Sequence, residues 1–467
     1  MFSYALNNNE IFRLDSNYFK KEYLYEESLI RRMEYTKLIK YGVALRSFGA
    51  YSLNNNVTYL DEGIPFIRGV NMKQGYISFN NMIFISNEAN SLLWKSEIKP
   101  EMVLLSMSGT VGDVAIASKY WDYPINSNQD IAKIDTKGGL NPYYLYVFLL
   151  TKYGQNYLVR EARGSVQQHV FLSQIEQFDI PRLSKEFVIT IQHLIEKIEA
   201  TQKASEISYD NAENLLLKEL GIKDYLPSTQ NVNVKYFKDS FLATGRLDAE
   251  YYQPKYDDLF SLLDSYSGGL TTIGNLASDI LNGAEVREYQ PEGVAYLRVG
   301  DLKNLDIDAD SVVRIDPVSA MKGLEKIDLQ AGDVLVSRSG SLAVTAVVEP
   351  EWENALISSH LIRIRIADKR INPYYLALYL STLPGKMQIQ QWSNGGVQPE
   401  ISQPALKSIV VPILAQSAQQ EIRALILEAR KLRALSASLL ETAKRAVEIA
   451  IEQDEAAGMA YIDGPCH

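Results

Sequence analysis

Arg68 and Arg298 each close a short apolar run, and Lys73 and Lys303 follow five residues later. A guanidinium or ammonium so placed can grip a guanine edge or neutralise a phosphate, with a structural ion pair as the competing reading. Ser106, Ser108 and Thr110, and in a second run Ser337, Arg338, Ser339 and Ser341, offer donors that position a protein on phosphates, unless they only shape a strand turn. The loops 160–169 and 391–400 are polar, Gly-containing and rich in amides. Gln167, Gln168 and Gln398 carry the donor–acceptor pair that reads an adenine edge, with Arg163 for the backbone and Asn394 in the second loop; solvated turns are the alternative. Gln129 and His360 fall at matching positions and join these candidates, although a lone His more often serves a core.

Other chemistries are excluded or weak. Four scattered histidines make no metal constellation, and one cysteine, Cys466, permits neither an intrachain disulfide nor a Cys-based zinc site. A reducing, cytoplasmic setting is expected. Glu97-Ile98-Lys99 has the outline of a nuclease element but no repeat partner and no upstream Asp on a strand. Asn141-Pro142-Tyr143-Tyr144, with its copy at Asn372, resembles the Asn-Pro-Pro-Tyr catalytic loop of adenine methyltransferases. The second proline is missing, an apolar-periodic stretch follows each copy, and no Gly-rich strand-to-helix turn precedes either. The better reading is an Asn cap and a first-turn proline that start a helix.

The elements that must hold these groups come in two copies. Arg13-Leu14-Asp15 with Tyr18-Phe19 returns as Arg246-Leu247-Asp248 with Tyr251-Tyr252, a shift of 233; the Arg68 block returns at Arg298, a shift of 230. Leu104-Leu105-Ser106-Met107-Ser108-Gly109 matches Leu335-Val336-Ser337-Arg338-Ser339-Gly340, and the Asn-Pro-Tyr-Tyr-Leu blocks and Gly-x-x-Gln loops also match, all at 231. Each copy is large enough to be a domain with its own core. Runs at 103–106, 114–118 and 131–134, then 333–337, 344–348 and 360–366, predict strands between turn clusters; 144–153 and 375–383 predict helices. After Pro181 and Pro412 the period changes to about 3.6, predicting one long helix over roughly 186–220 and another at the C-terminal end. In the latter, Leu425, Leu432 and Leu439 are seven apart, and Ile422, Ala429, Ser436 and Ala443 form a smaller seam.

With 467 residues, 46% hydrophobic and 22% charged, the chain has an ordinary multidomain globular composition. No apolar run approaches the ~18 residues of a membrane helix, and the start lacks a signal peptide. The net charge of −10 excludes a uniformly basic coat. Residues 1–183 carry 19 Lys and Arg against 18 Asp and Glu, whereas 234–412 carry 17 against 23.

The duplicated order of these blocks resembles the specificity (S) subunit of type I restriction-modification systems over nearly the whole chain. The resemblance implies an α+β fold: two tandem mixed α/β target-recognition domains, 1–183 and 234–412, separated by two long helices packed as an antiparallel, pseudo-two-fold coiled coil, 184–233 and 413–467. It further implies that each domain reads one half of an asymmetric, bipartite double-stranded DNA site. The helices would dock two methyltransferase subunits and through them a restriction subunit, with Ile191, Leu194, Ile198, Leu215, Ile422, Leu425, Leu432 and Leu439 as candidate docking positions. The chain itself would be non-catalytic and without cofactor, S-adenosylmethionine, ATP and Mg being expected only on partner subunits. A catalytic adenine methyltransferase and a protein-binding scaffold without DNA recognition are the alternatives.

Overall fold

The computed structural model describes residues 16–47, 57–79, 82–164, 168–395 and 398–464, in two compact units: 1–203 with 433–467, and 204–432. Arg13-Leu14-Asp15, Gln167 and Cys466, singled out above, lie outside the described residues.

In the first unit the strands of the two larger sheets are β1 (Ala44–Arg46), β2 (Ile64–Ile67), β3 (Ile83–Ile85), β4 (Glu97–Ile98), β5 (Val103–Ser106), β6 (Val114–Ile116), β7 (Ile125–Ser127) and β8 (Ile131–Asp135). They form two four-stranded sheets, in the orders β1-β8-β5-β6 and β3-β2-β7-β4. All of β5 is buried, so it reads as a continuous apolar run, not an alternating one. Helix α1 (Pro142–Leu150) packs on β5 and β6. The Asn141 side chain starts it, accepting from the Tyr143 and Tyr144 amides at 3.0 and 3.1 Å. The Tyr144 hydroxyl then ties the helix to the Pro181 carbonyl at 2.8 Å.

The second unit repeats the plan. Strands β9 (Ala277–Asn282), β10 (Val294–Leu297), β11 (Val313–Ile315), β12 (Val334–Ser337), β13 (Thr345–Val347), β14 (Leu356–Ile357) and β15 (Leu361–Ile366) give sheets ordered β9-β15-β12-β13 and β11-β10-β14. The register is kept: β8 sets Ile131 against Ser106 of β5, and β15 sets Leu361 against Ser337 of β12. Asn372 caps the equivalent helix through the Tyr374 amide at 3.0 Å, and Tyr375 reaches the Pro412 carbonyl at 2.6 Å.

Two long helices complete the fold: α2 at Lys185–Glu219, 35 residues, and one of 37 residues at Gln416–Glu452. At ~1.5 Å per residue each runs about 50 Å. In the first unit Phe187, Ile191, Ile195 and Ile198 share a core with Leu439, Ala443, Ala446 and Val447; in the second, Ala212 and Leu216 share one with Ile422 and Ile426. There the helices run antiparallel, with the Ser205 hydroxyl donating to the Ala429 carbonyl at 2.7 Å and Ser208 to Leu425 at 2.9 Å. Small side chains permit that approach, and the seam of Ala429, Ser436 and Ala443 is buried. No helix among the described residues is long and apolar enough to cross a membrane.

Candidate nucleic-acid interface

In the second unit the polar groups converge. Arg298, Ser339, Ser341, His360 and Gln398 line one surface cleft of about 530 Å³, together with Glu285, Arg287 and Tyr289. Arg298 leaves the end of β10 at a 3-10 turn whose Asp301, 1% exposed, accepts from the Arg298 amide at 2.7 Å and from its Nη2 at 3.0 Å. Nη2 also donates to the Ser311 carbonyl at 2.7 Å, and the guanidinium lies 5.5 Å from the Tyr289 ring centroid. The ion pair and the cleft wall are thus the same residue: Asp301 holds the head, and 35% of the side chain stays exposed. Lys303 is paired with Asp308, and Arg338 with Glu400.

The serine runs divide by depth. Ser106 and Ser337 are fully buried; their hydroxyls donate to the Ser108 and Ser341 carbonyls at 3.1 and 2.6 Å, and Ser337 also accepts from the Val344 amide at 2.8 Å. Both serve the turn, the strand-turn alternative given above, and at 0% exposure neither hydroxyl faces a ligand surface. Ser339 Oγ lies 2.5 Å from His360 Nδ1, and Ser341 is exposed on the rim. In the first unit Ser108 is half-buried and Thr110 exposed. Burial pushes the neighbouring Asp113 carboxyl up from its ordinary value, against the opposing pull of the Thr110 hydrogen bond and of Lys73.

The amide-rich loops are pinned at their necks in the same way. Arg163 and His169 exchange backbone hydrogen bonds of 2.9 and 2.7 Å, and Asn394 and Glu400 do so at 2.9 and 2.8 Å. Val170 then bonds the Met107 carbonyl and Ile401 that of Arg338, so each loop sits beside its serine turn. Gly395, at φ +110°, has no room for a side chain: a Cβ there would lie 2.6 Å from the Gln398 carbonyl. Arg163, Gln168, Asn394 and Gln398 are exposed.

One expected pairing is corrected. The Arg338 amide bonds the His360 carbonyl at 2.9 Å, and its repeat mate, the Met107 amide, bonds Asp130 at 2.8 Å. Asp130, not Gln129, is therefore the counterpart of His360. Similarly, Asn71, whose Oδ1 accepts from the Arg68 amide at 3.1 Å, stands where the second unit has Asp301. The two copies share a backbone frame and differ in the charges mounted on it.

The helix positions turn inward. Ile191, Leu194, Ile198, Ile422 and Leu439 are buried in the chain's own cores, and Leu215, Leu425 and Leu432 are half-buried. The five buried side chains hold the chain's own cores together and face no partner surface, which corrects their reading as docking contacts; Leu215, Leu425 and Leu432 keep part of their surface open. Sequence reasoning also missed Tyr289, although Tyr59 matches it at the same shift of 230 as the arginines. The rings sit alike, Tyr59 at 5.8 Å from Phe66 and Tyr289 at 6.2 Å from Tyr296.

The methyltransferase-like motif is fully occupied by structure. Besides its two capping bonds, Asn141 donates to Gln192 Oε1 at 2.7 Å, and Tyr143 and Tyr144 are each 2% exposed. Among the described residues no group of three or more His, Cys, Asp or Glu is placed to hold a metal ion.

The repeated frame, with its serine turn and pinned loop in each copy, defines a class. Residues 46–208 and 274–441 each match the type I restriction modification DNA specificity domain, and the chain belongs to that family. It is similar to the type I restriction enzyme EcoBI specificity subunit of Escherichia coli, 22% identical over 154 residues, which are 33% of this chain. The matched stretch spans only 32% of that relative's length. Solved structures that resemble it include the type I restriction-modification S subunit from M. genitalium, at TM-score 0.42, 15% identity and coverage of 90% of this chain and 96% of that one. Another is the HsdS subunit from Thermoanaerobacter tengcongensis, at TM-score 0.26, 14% identity and coverage of 92% and 96%.

Proposed function

We propose that the chain is the DNA-reading subunit of a type I restriction-modification complex, in which residues 1–183 and 234–412 each read one half of a split, asymmetric site. The observation that carries this reading is the convergence of Arg298, Ser339, Ser341, His360 and Gln398 on one cleft, five side chains whose types suit base and phosphate chemistry. The different charges on the two copies support different half-sites.

Residues 184–233 and 413–467 act as the spacer and the dock for two methyltransferase subunits, which in turn bring a restriction subunit. Docking then uses outward side chains such as Ile189, Ile207 and Leu435, each at least 36% exposed. Methyl transfer and cleavage, with S-adenosylmethionine, ATP and Mg, belong to those partners. The acidic balance of 234–412 fits this division: the isolated chain binds DNA weakly, and basic surface on the partners supplies the salt-dependent affinity.

Exchanging residues 234–412 for the equivalent domain of another family member tests the reading. The reconstituted complex should change its preference in one half-site only; a change in both halves, or no sequence preference at all, would refute independent recognition.

A further inference from the structure

A second cleft, in the first unit, is used by nothing described so far. It measures about 480 Å³ and is lined by Leu45, Arg46, Ser47, Trp94, Lys95 and Leu172. Trp94 is 59% exposed on a 3-10 turn, an unusual position for the most costly side chain to leave in water, and the Lys95 ammonium lies 5.3 Å from its ring centroid.

Three observations identify what it takes. The six lining residues include two cations and no carboxylate, in a chain with a net charge of −10, a lining that suits an anionic occupant. A solvent-facing indole flanked by Arg and Lys is the combination that stacks a nucleobase while its phosphates are neutralised. One wall of the cleft also follows the pinned loop in the chain: His169, at the loop neck, lies 4.6 Å ring to ring from Phe171, itself 50% exposed, and the next residue, Leu172, is part of the cleft wall.

We infer that Trp94 is a stacking platform for a nucleobase that has left the duplex stack, with Arg46 and Lys95 holding the flanking phosphodiesters. This rests on the DNA-reading proposal for its biological setting but not for its chemistry. It adds a stacking contact to the hydrogen-bonding groups of the first unit.

The test uses the full-length chain and a mixed-sequence single-stranded oligonucleotide at low salt, followed by fluorescence anisotropy and tryptophan quenching. Trp94→Ala should weaken binding by about tenfold or more, while Trp94→Phe, which keeps a ring, stays within about threefold of the parent. Arg46→Ala and Lys95→Ala should each lower the salt dependence by about one charge. In the complex with methyltransferase subunits, 2-aminopurine at one position of the half-site read by the first unit should brighten, and Trp94→Ala should abolish the signal. Unaltered oligonucleotide binding by Trp94→Ala would overturn the inference. So would protection of Trp94 from acrylamide by a methyltransferase subunit and not by the oligonucleotide. Quenching of Trp94 by oligonucleotide in a complex without sequence preference would uphold the platform while removing the DNA-reading proposal.

Discussion

His360 and Asp130 occupy one backbone position in two copies of the same frame, each lending its carbonyl to the amide that begins the serine turn, at 2.9 and 2.8 Å. An imidazole on one side and a carboxylate on the other offer different hydrogen-bonding patterns to a base edge. Ser339 fixes the His360 ring through Nδ1 at 2.5 Å, and Asp130 accepts from Asn128 Nδ2 at 2.9 Å.

The first prediction follows from that pair. His360→Ala in the reconstituted complex should cost about 1–3 kcal/mol at one base of a single half-site and leave the other half unchanged. In vitro selection of bound duplexes reads this directly; a uniform loss across all sequences would make His360 a backbone contact instead.

Asn141→Ala removes a doubly bonded helix cap and the link to Gln192, so it should destabilise the first unit by about 1–2 kcal/mol and lower its melting temperature by about 2–8 °C. Asn141→Ser should recover most of the loss. Thermal denaturation decides; unchanged melting would mean the side chain is not working as a cap.

At the helix seam, Ala429 is 1% exposed and its carbonyl receives the Ser205 hydroxyl. Ala429→Leu should force the helices apart and cost about 1–3 kcal/mol, more than the same change at exposed Ala424. Equal unfolding midpoints in denaturant for the two variants would contradict close packing at this seam.

Lys133 is 1% exposed, its ammonium donating to Ser127 Oγ at 2.9 Å, and burial pushes it down to about 7 from an ordinary 10.5. Between those values the unfolded chain holds the proton and the folded chain does not, so this group makes stability rise with pH from about 7 towards 10.5. Compared with Lys133→Met, the parent should be weakest below pH 7 and gain up to about 1.4 kcal/mol per pH unit above it. A constant difference between the two from pH 6 to 9 would show that Lys133 keeps its proton.

Much of this was legible in the sequence because the signals were local or repeated. Asn-Pro before an apolar stretch specified both capped helices, and the change to a 3.6 period specified the long ones. The sequence hides the counterpart of His360 because the shift changes from 231 at the serine turns to 230 at β8 and β15, an indel that no repeated block marks. The inward turn of Ile191 and Ile422 was hidden because apolar periodicity tells which residues share a face, not what that face meets. A hydroxyl's type says nothing of its depth, so the sequence leaves Ser106 and Ser337 open between turn and ligand roles, and only their burial decides. Trp94 had no matching aromatic in the second copy to draw attention to it.

The most direct test of the account is a genome-wide map of N6-methyladenine in the source cell, with and without this gene. The account predicts that deletion removes methylation at one split, asymmetric motif, and that His360→Ala alters the preference in only one of its halves. An unchanged map, in cells where the gene is expressed with its methyltransferase partner, would contradict it.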